Sequence, residues 1–164
     1  MLSLLVSAAL FVGQASITPA TVSRMVDRYG AKRTVQKLSS TASNDTRTAL
    51  GDFDKVLDGI ASGDARWLAL VPRLAPGTDA GTAESLAIVL AEALPRNPVG
   101  VLRLINRDAS WKDACSYPMI EPTREEAGAY FKAAIPAVQS VHDPSLQAAK
   151  RVCLSELLKA RRAQ

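Results

Sequence analysis

The hydrophobic and polar positions of this chain divide it into two unequal parts. Residues 1–17 contain no charged side chain, and residues 2–12 form a nearly continuous apolar run. From Thr18 onward, apolar residues recur at helical spacing, and capping residues, prolines and glycines mark frequent starts and stops. Thr18-Pro19 combines a capping hydroxyl with a proline at the first helical position, and it opens a segment that carries Val22, Val26 and Tyr29 on one face. Gly30 suits the stop, residues 31–38 read as a short second helix with Val35 and Leu38, and the polar run 39–45 reads as a loop. Asn44 or Asp45 can cap the next helix, whose stripe is Leu50, Phe53, Leu57 and Ile60.

Ser62-Gly63 ends that stripe and Asp64 begins another, with Trp67, Leu68, Val71 and Leu74 inward and Pro72 kinking or ending it. After a turn at 75–78, residues 79–94 carry Ala83, Leu86, Leu90 and Leu94 and are apolar around most of the circumference, as in a helix buried on more than one side. Asn97-Pro98 repeats the cap-plus-proline signature ahead of Val101, Leu102 and Ile105. Residues 108–122 are the least regular, with Ser110 a candidate cap for a short turn around Trp111 and Cys115. Thr123-Arg124-Glu125-Glu126 is a capping box by residue type and spacing, opening a helix through Ala127, Tyr130, Phe131 and Ile135 that Pro136 should kink. Asp143-Pro144 starts the last stripe, Leu146, Ala149, Cys153 and Leu157, and Lys159, Arg161 and Arg162 complement its dipole.

This pattern predicts an all-α domain of about seven short helices, near 19–29, 45–61, 65–74, 80–94, 98–106, 124–141 and 144–161, packed as irregular stacked hairpins. No convincing pair of strands is present. Composition agrees: 48% of residues are hydrophobic, many of them alanine, and only 5% are aromatic, which favours close-packed helices over a sheet. The breaks at Gly30, Gly63-Asp64 and Asn97-Pro98 recur about every 34 residues; at that offset Val22, Val56 and Leu90 coincide, as do Val26, Ile60 and Leu94. Such a recurrence is what stacked helical hairpins produce, although coincidence is easy in a chain this apolar.

The opening run is too short to span a bilayer and has the length of a signal-peptide core, followed by a small-x-small site at Gly13-Gln14-Ala15. Its n-region lacks lysine and arginine, and a buried amphipathic first helix or an uncleaved anchor are the competing readings. On the export reading, residues 1–15 are removed, with cleavage as late as residue 20 as the outer bound, and 16–164 form one domain. The two cysteines, Cys115 and Cys153, are then most simply a disulfide, whereas in a reducing cytosol they would be buried thiols.

Charge and candidate chemistry add little beyond that. The formal net charge of +4 suits solubility or an acidic partner and is too small to imply nucleic acid. Arg24, Arg28 and Lys32 lie at i, i+4 and i+8 and would form one positive stripe if the helix ran through Gly30; a solvated face is the plainer reading. Asp52, Asp54 and Asp58 lack calcium-loop spacing, and the single histidine, His142, has no nucleophile, second base or metal-ligand set beside it, so helix capping suits it better than catalysis. Glu125 and Glu126 diverge by roughly 100° around a helix and serve the cap rather than one substrate. Trp67 belongs to an apolar stripe and reads as core, whereas Trp111, between Ser110 and Lys112, reads as a surface anchor. No catalytic residue, metal or cofactor is expected.

In layout, residues 29–105 resemble a HEAT- or TPR-type helical-hairpin array, and the whole chain is similar to small uncharacterised exported helical proteins of Gram-negative bacteria. The resemblance carries no site residues. It implies a periplasmic or secreted protein that acts through contacts with another protein, of inhibitor or immunity type, with Arg24, Arg28, Lys32 and Trp111 as candidate partner surface. The alternative is a small-ligand carrier or an enzyme using a cleft between hairpins. Neither nucleic-acid binding nor stable membrane insertion is expected. On this reading the mature chain begins near Ser16, which N-terminal sequencing of envelope or medium fractions will check; an intact Met1 on soluble cytosolic protein would refute it.

Overall fold

The structure, a computed structural model, describes residues 16–40, 51–118 and 123–163. The expected leader at 1–15 and the first third of the expected helix 45–61, with its Asn44 or Asp45 cap, lie outside the described residues. Among the described residues there is no strand, and eight α-helices and three 3₁₀ turns follow in order. The helices are α1 (Pro19–Ser39), α2 (Asp52–Ala61), α3 (Ala65–Leu68), α4 (Val71–Leu74), α5 (Ala80–Ala93), α6 (Pro98–Arg107), α7 (Arg124–Gln139) and α8 (Gln147–Arg162). The 3₁₀ turns are Ala75–Gly77, Ala109–Cys115 and Pro144–Leu146.

The punctuation in the sequence acts where it stands. Thr18 Oγ1 accepts from the Thr21 N–H at 3.2 Å, and Asp79 and Thr82 form a reciprocal box at the start of α5. The Thr123–Glu126 box closes in both directions, at 3.2 and 2.9 Å. Gly30 takes φ 77°, ψ 166° and splits α1 into the two helical pieces its position predicted, a backbone state that a side chain would resist. The expected helix 65–74 is two helices rather than one: α3 ends at Leu68, and α4 starts with Pro72 in its first turn, where a missing N–H costs nothing. The expected capping role of Ser110 belongs instead to Asp108, whose carboxylate accepts the Ser110 N–H at 2.9 Å. His142 does not cap α7 either. Lys150 reaches back from α8 and donates to the carbonyls of Gln139 at 2.6 Å and Val141 at 2.8 Å, while His142 stays exposed. Pro136, expected to kink α7, lies inside it, and the helix runs on to Gln139.

One core runs through the described chain. Val22, Phe53, Val56, Ile60, Leu86, Leu90, Leu94, Val101, Leu102 and Leu157 are fully buried within it. Helix α2 packs between α1 and α5, α5 backs onto the 3₁₀ turn 109–115, and α6 and α7 pack on α8. Two of the three breaks read from the sequence, at Gly63 and Asn97, meet. Asn97 caps α6 by accepting from the Gly100 N–H at 2.9 Å, and its Nδ2 donates to the carbonyl of Gly63 at 2.8 Å. Arg96 donates to the carbonyl of Ala61 at 2.9 Å beside it. Gly63 holds φ 77°, and a Cβ there would stand 3.0 Å from the Arg96 Cβ. Arg73 ties α4 to the first half of α1 through the side chains of Ser23 and Asp27, each at 2.6 Å. Trp67 is half-buried rather than enclosed, with its indole lying on Gly59 so closely that a Cβ would sit 2.4 Å from the ring.

Cys115 and Cys153 are bonded, both fully buried, with Cα atoms 5.0 Å apart across a sequence separation of 38. The bond staples the 3₁₀ turn 109–115 to the middle of α8. A loop of that size restricts the unfolded chain by roughly 4 kcal/mol on the chain-entropy account. Reduction is therefore expected to lower the melting temperature by roughly 10 °C. Calorimetry with and without reductant, paired with thiol titration of the unfolded, unreduced chain, checks this; two free thiols would refute it.

The caps also predict an acid response. Asp64 accepts the Arg66 N–H at 2.8 Å and the Arg66 guanidinium at 2.6 Å, and the guanidinium first, then the N–H, hold its carboxyl down at about 2. Asp79, Asp108, Glu126 and Asp143 are lowered too, by hydrogen bonds from Thr82, Ser110, Thr123 and Ser145. A carboxyl whose folded value lies below its unfolded one contributes stability above about pH 4 and loses it as pH falls toward 2. Melting temperature should therefore be level near neutrality and fall from about pH 4 to pH 2. Asp64→Asn keeps an acceptor for the cap but removes the charge. It should melt below the parent at pH 7 and approach it as pH falls through about 2, and parallel curves would refute the assignment.

Candidate functional site

Two surface clefts stand out among the described residues. The first, of about 330 Å³, lies where α4 and the turn after it face the end of α6 and the start of the 3₁₀ turn 109–115. Its walls are Pro72, Pro76, Leu104 and Trp111, with Arg107 and Asp108 also lining it. Each wall is stiff for an identifiable reason. The prolines have fixed φ, Leu104 belongs to the buried face of α6, and Trp111 is half-buried against the core.

Trp111 is held from both ends of its turn. On one side Asp108 caps the turn through Ser110, and the Asp108 carbonyl accepts the Trp111 N–H at 3.2 Å. On the other, Cys115 is bonded to α8. Asp108 is thus engaged, and the hydrogen bonds from Ser110 lower its pKa. Arg107 beside it is exposed, and among the described residues it enters no ion pair or side-chain hydrogen bond. The cleft therefore offers a rigid apolar wall and one uncommitted guanidinium.

The other residues singled out from sequence do not join this site. Arg24, Arg28 and Lys32 are exposed on α1, but the break at Gly30 means that no single helical stripe carries all three. Tyr29 lies beneath two cations, the Arg28 guanidinium at 5.3 Å and the Lys37 ammonium at 4.9 Å, so part of this basic face is folded back on itself. His142 lines neither cleft. Trp111, read from the sequence as a surface anchor, stands half-buried in the wall of a cleft.

The second cleft, of about 400 Å³, lies between the start of α7 and the end of α8, lined by Arg124, Ala127, Gly128, Phe131 and Arg161. Beneath it Phe131 packs with Tyr117 and Tyr130 at centroid distances of 5.9 and 5.5 Å. Tyr130 donates to the carbonyl of Ala91 at 3.0 Å, and burial pushes its phenol well above the ordinary range.

Sequence reasoning named Trp111 but missed Arg107, Pro72 and Pro76 as its neighbours, and Arg124 and Arg161 as a pair. Pro72 was legible only as a helix break and Arg161 only as a dipole partner, because nothing local announces which distant segment each will face. Among the described residues no three histidine, cysteine or carboxylate side chains gather as a metal site would require, and no helix is long and apolar enough to cross a membrane. Comparison with protein-family models, with curated proteins and with solved structures gives no match.

Proposed function

We propose that this chain is exported to the periplasm or medium of a Gram-negative bacterium and acts there, without catalysis, by binding another protein through the Trp111 cleft. The observation that carries the reading is a half-buried tryptophan fixed beside two prolines, with the uncommitted Arg107 next to it. Tryptophan and arginine are the side chains on which interface energy most often concentrates, and they act best where the surface is already ordered. A partner segment that seats an apolar side chain against Trp111 and offers a carboxylate to Arg107 satisfies both. The overall charge of +4 favours such a partner in the encounter.

Export is supported by the uncharged opening run with its small-x-small site, and by a cysteine pair at bonding distance, since such bonds persist in oxidising compartments. Within this reading, an inhibitor or immunity-type protein that occupies an exported enzyme is the form that suits a small rigid domain.

The test is cross-linked capture on the tagged mature protein in its own envelope, run in parallel with Trp111→Ala and Arg107→Glu. The partner recovered is then purified and titrated. Trp111→Ala is expected to cost about 2 kcal/mol of affinity, near thirtyfold. Arg107→Glu, a surface change that leaves the melting curve in place, should weaken binding and slow association at low salt. A partner bound equally by both variants would place the contact elsewhere.

A further inference from the structure

The two walls of the Trp111 cleft are mounted in different ways. Pro72 and Pro76 stand on helical structure: Arg73 ties α4 to Ser23 and Asp27, and Gly77 lies so close to α1 that a Cβ would strike the Ala31 backbone. Trp111 stands on the 3₁₀ turn 109–115, where only Ala114 and Cys115, two small side chains, are buried. A 3₁₀ run of that length exceeds the usual about three or four residues, and its hydrogen-bond geometry is poor. Apart from the Asp108 cap, no hydrogen bond among the described residues joins the turn to another element. Firmer attachment lies on either side. The Asp108 N–H donates to the Leu104 carbonyl at 2.9 Å, and Tyr117 packs edge-on against Tyr130 at 5.3 Å ahead of the buried Pro118. Between those anchors, the one strong tie is the Cys115–Cys153 bond, which begins one helical turn beyond the indole.

We propose that this bond is a latch on the Trp111 cleft, closed only in an oxidising compartment. With both thiols reduced, the chain keeps its helical stack, while residues 109–116 are mobile and the Trp111 wall is not formed. Closure is a two-electron oxidation by a dithiol–disulfide exchange partner. One thiolate attacks the partner's disulfide, the other displaces it from the mixed disulfide, and the partner leaves as a dithiol carrying the two electrons and two protons. Both cysteines are fully buried once the turn is seated, so the finished bond is shielded from small thiols. The consequence for binding, that the chain engages no partner before export, rests on the reading of the cleft given above; the loosening of the turn does not.

Hydrogen exchange read peptide by peptide tests the latch without any partner, together with fluorine NMR of fluorotryptophan at Trp67 and Trp111. The oxidised mature protein is compared with the Cys115→Ala, Cys153→Ala double variant and with the parent reduced in denaturant and refolded under dithiothreitol, each well below its melting temperature. Amides of residues 109–116 are expected to exchange at least tenfold faster in both bond-free forms, with α2 and α5 unchanged. The Trp111 resonance should sharpen and move toward that of the free amino acid, while the Trp67 resonance stays in place. Oxidised glutathione should restore both readings in the reduced parent and neither in the double variant. Exchange that rises uniformly along the chain, a Trp111 resonance that does not move, or unfolding of both bond-free forms would each overturn the proposal, because the bond would then act on the whole fold or not on the cleft. If the turn loosens as expected and a partner captured through Trp111 still binds the double variant as well as the oxidised parent, it is the reading of the cleft as the binding site that fails.

Discussion

Short helices have many ends, and satisfying those ends is the constraint on which this structure depends. Each helix leaves up to four N–H groups and four carbonyls without a partner inside itself. Two of the helices here are only four residues long, so nearly all of their polar backbone is terminal. The chain meets this demand with side chains: Thr18, Asp64, Asp79, Asn97, Asp108, Thr123 and Asp143 each accept a backbone N–H at the start of an element. At the far ends, Lys150 and Arg96 donate to carbonyls across a junction. Asn97 does both at once, and so binds the end of one hairpin to the beginning of the next.

Packing follows from that arrangement. Helix α2 lies between α1 and α5, and Val22, Val56 and Leu90, one from each, are fully buried in the common core. The second half is organised differently. There the 3₁₀ turn 109–115 replaces a helix, and a turn of that kind has poor hydrogen-bond geometry and little reason to persist alone. The Cys115–Cys153 bond fastens this turn to α8, and the buried Ala114 and Cys115 pack it among α5, α6 and α8.

What was legible in the sequence was local. Thr18-Pro19, Asn97-Pro98 and the Thr123–Glu126 box announce helix starts because a cap and the N–H it accepts from lie within three residues, and Gly30 announces a break because the backbone there takes a positive φ. The cysteine pairing was legible because only two cysteines exist. Pro72 announced a break in the helix 65–74, but Leu68, Leu70 and Val71, buried on both sides of it, keep the apolar stripe continuous and conceal where it falls. Asp108 and Ser110 are both good caps two residues apart, and spacing alone does not choose between them. The clefts were illegible for a deeper reason: residues 72–76 meet 104–111, and 124–131 meet 161, through packing that no local pattern encodes.

The way Trp111 is mounted bears on the thermodynamics of recognition. A flexible loop that carried the same indole would lose conformational freedom whenever it docked, and that loss would be subtracted from every contact it made. Here the capped and stapled turn is ordered when the chain folds. The entropy of fixing the tryptophan is thus charged once, to folding, and would not recur if a partner docked there. What remains to be ordered on contact belongs to the other molecule, so differences in affinity among targets of this surface would reflect how stiff those targets are. They would be read chiefly in how long the complexes last.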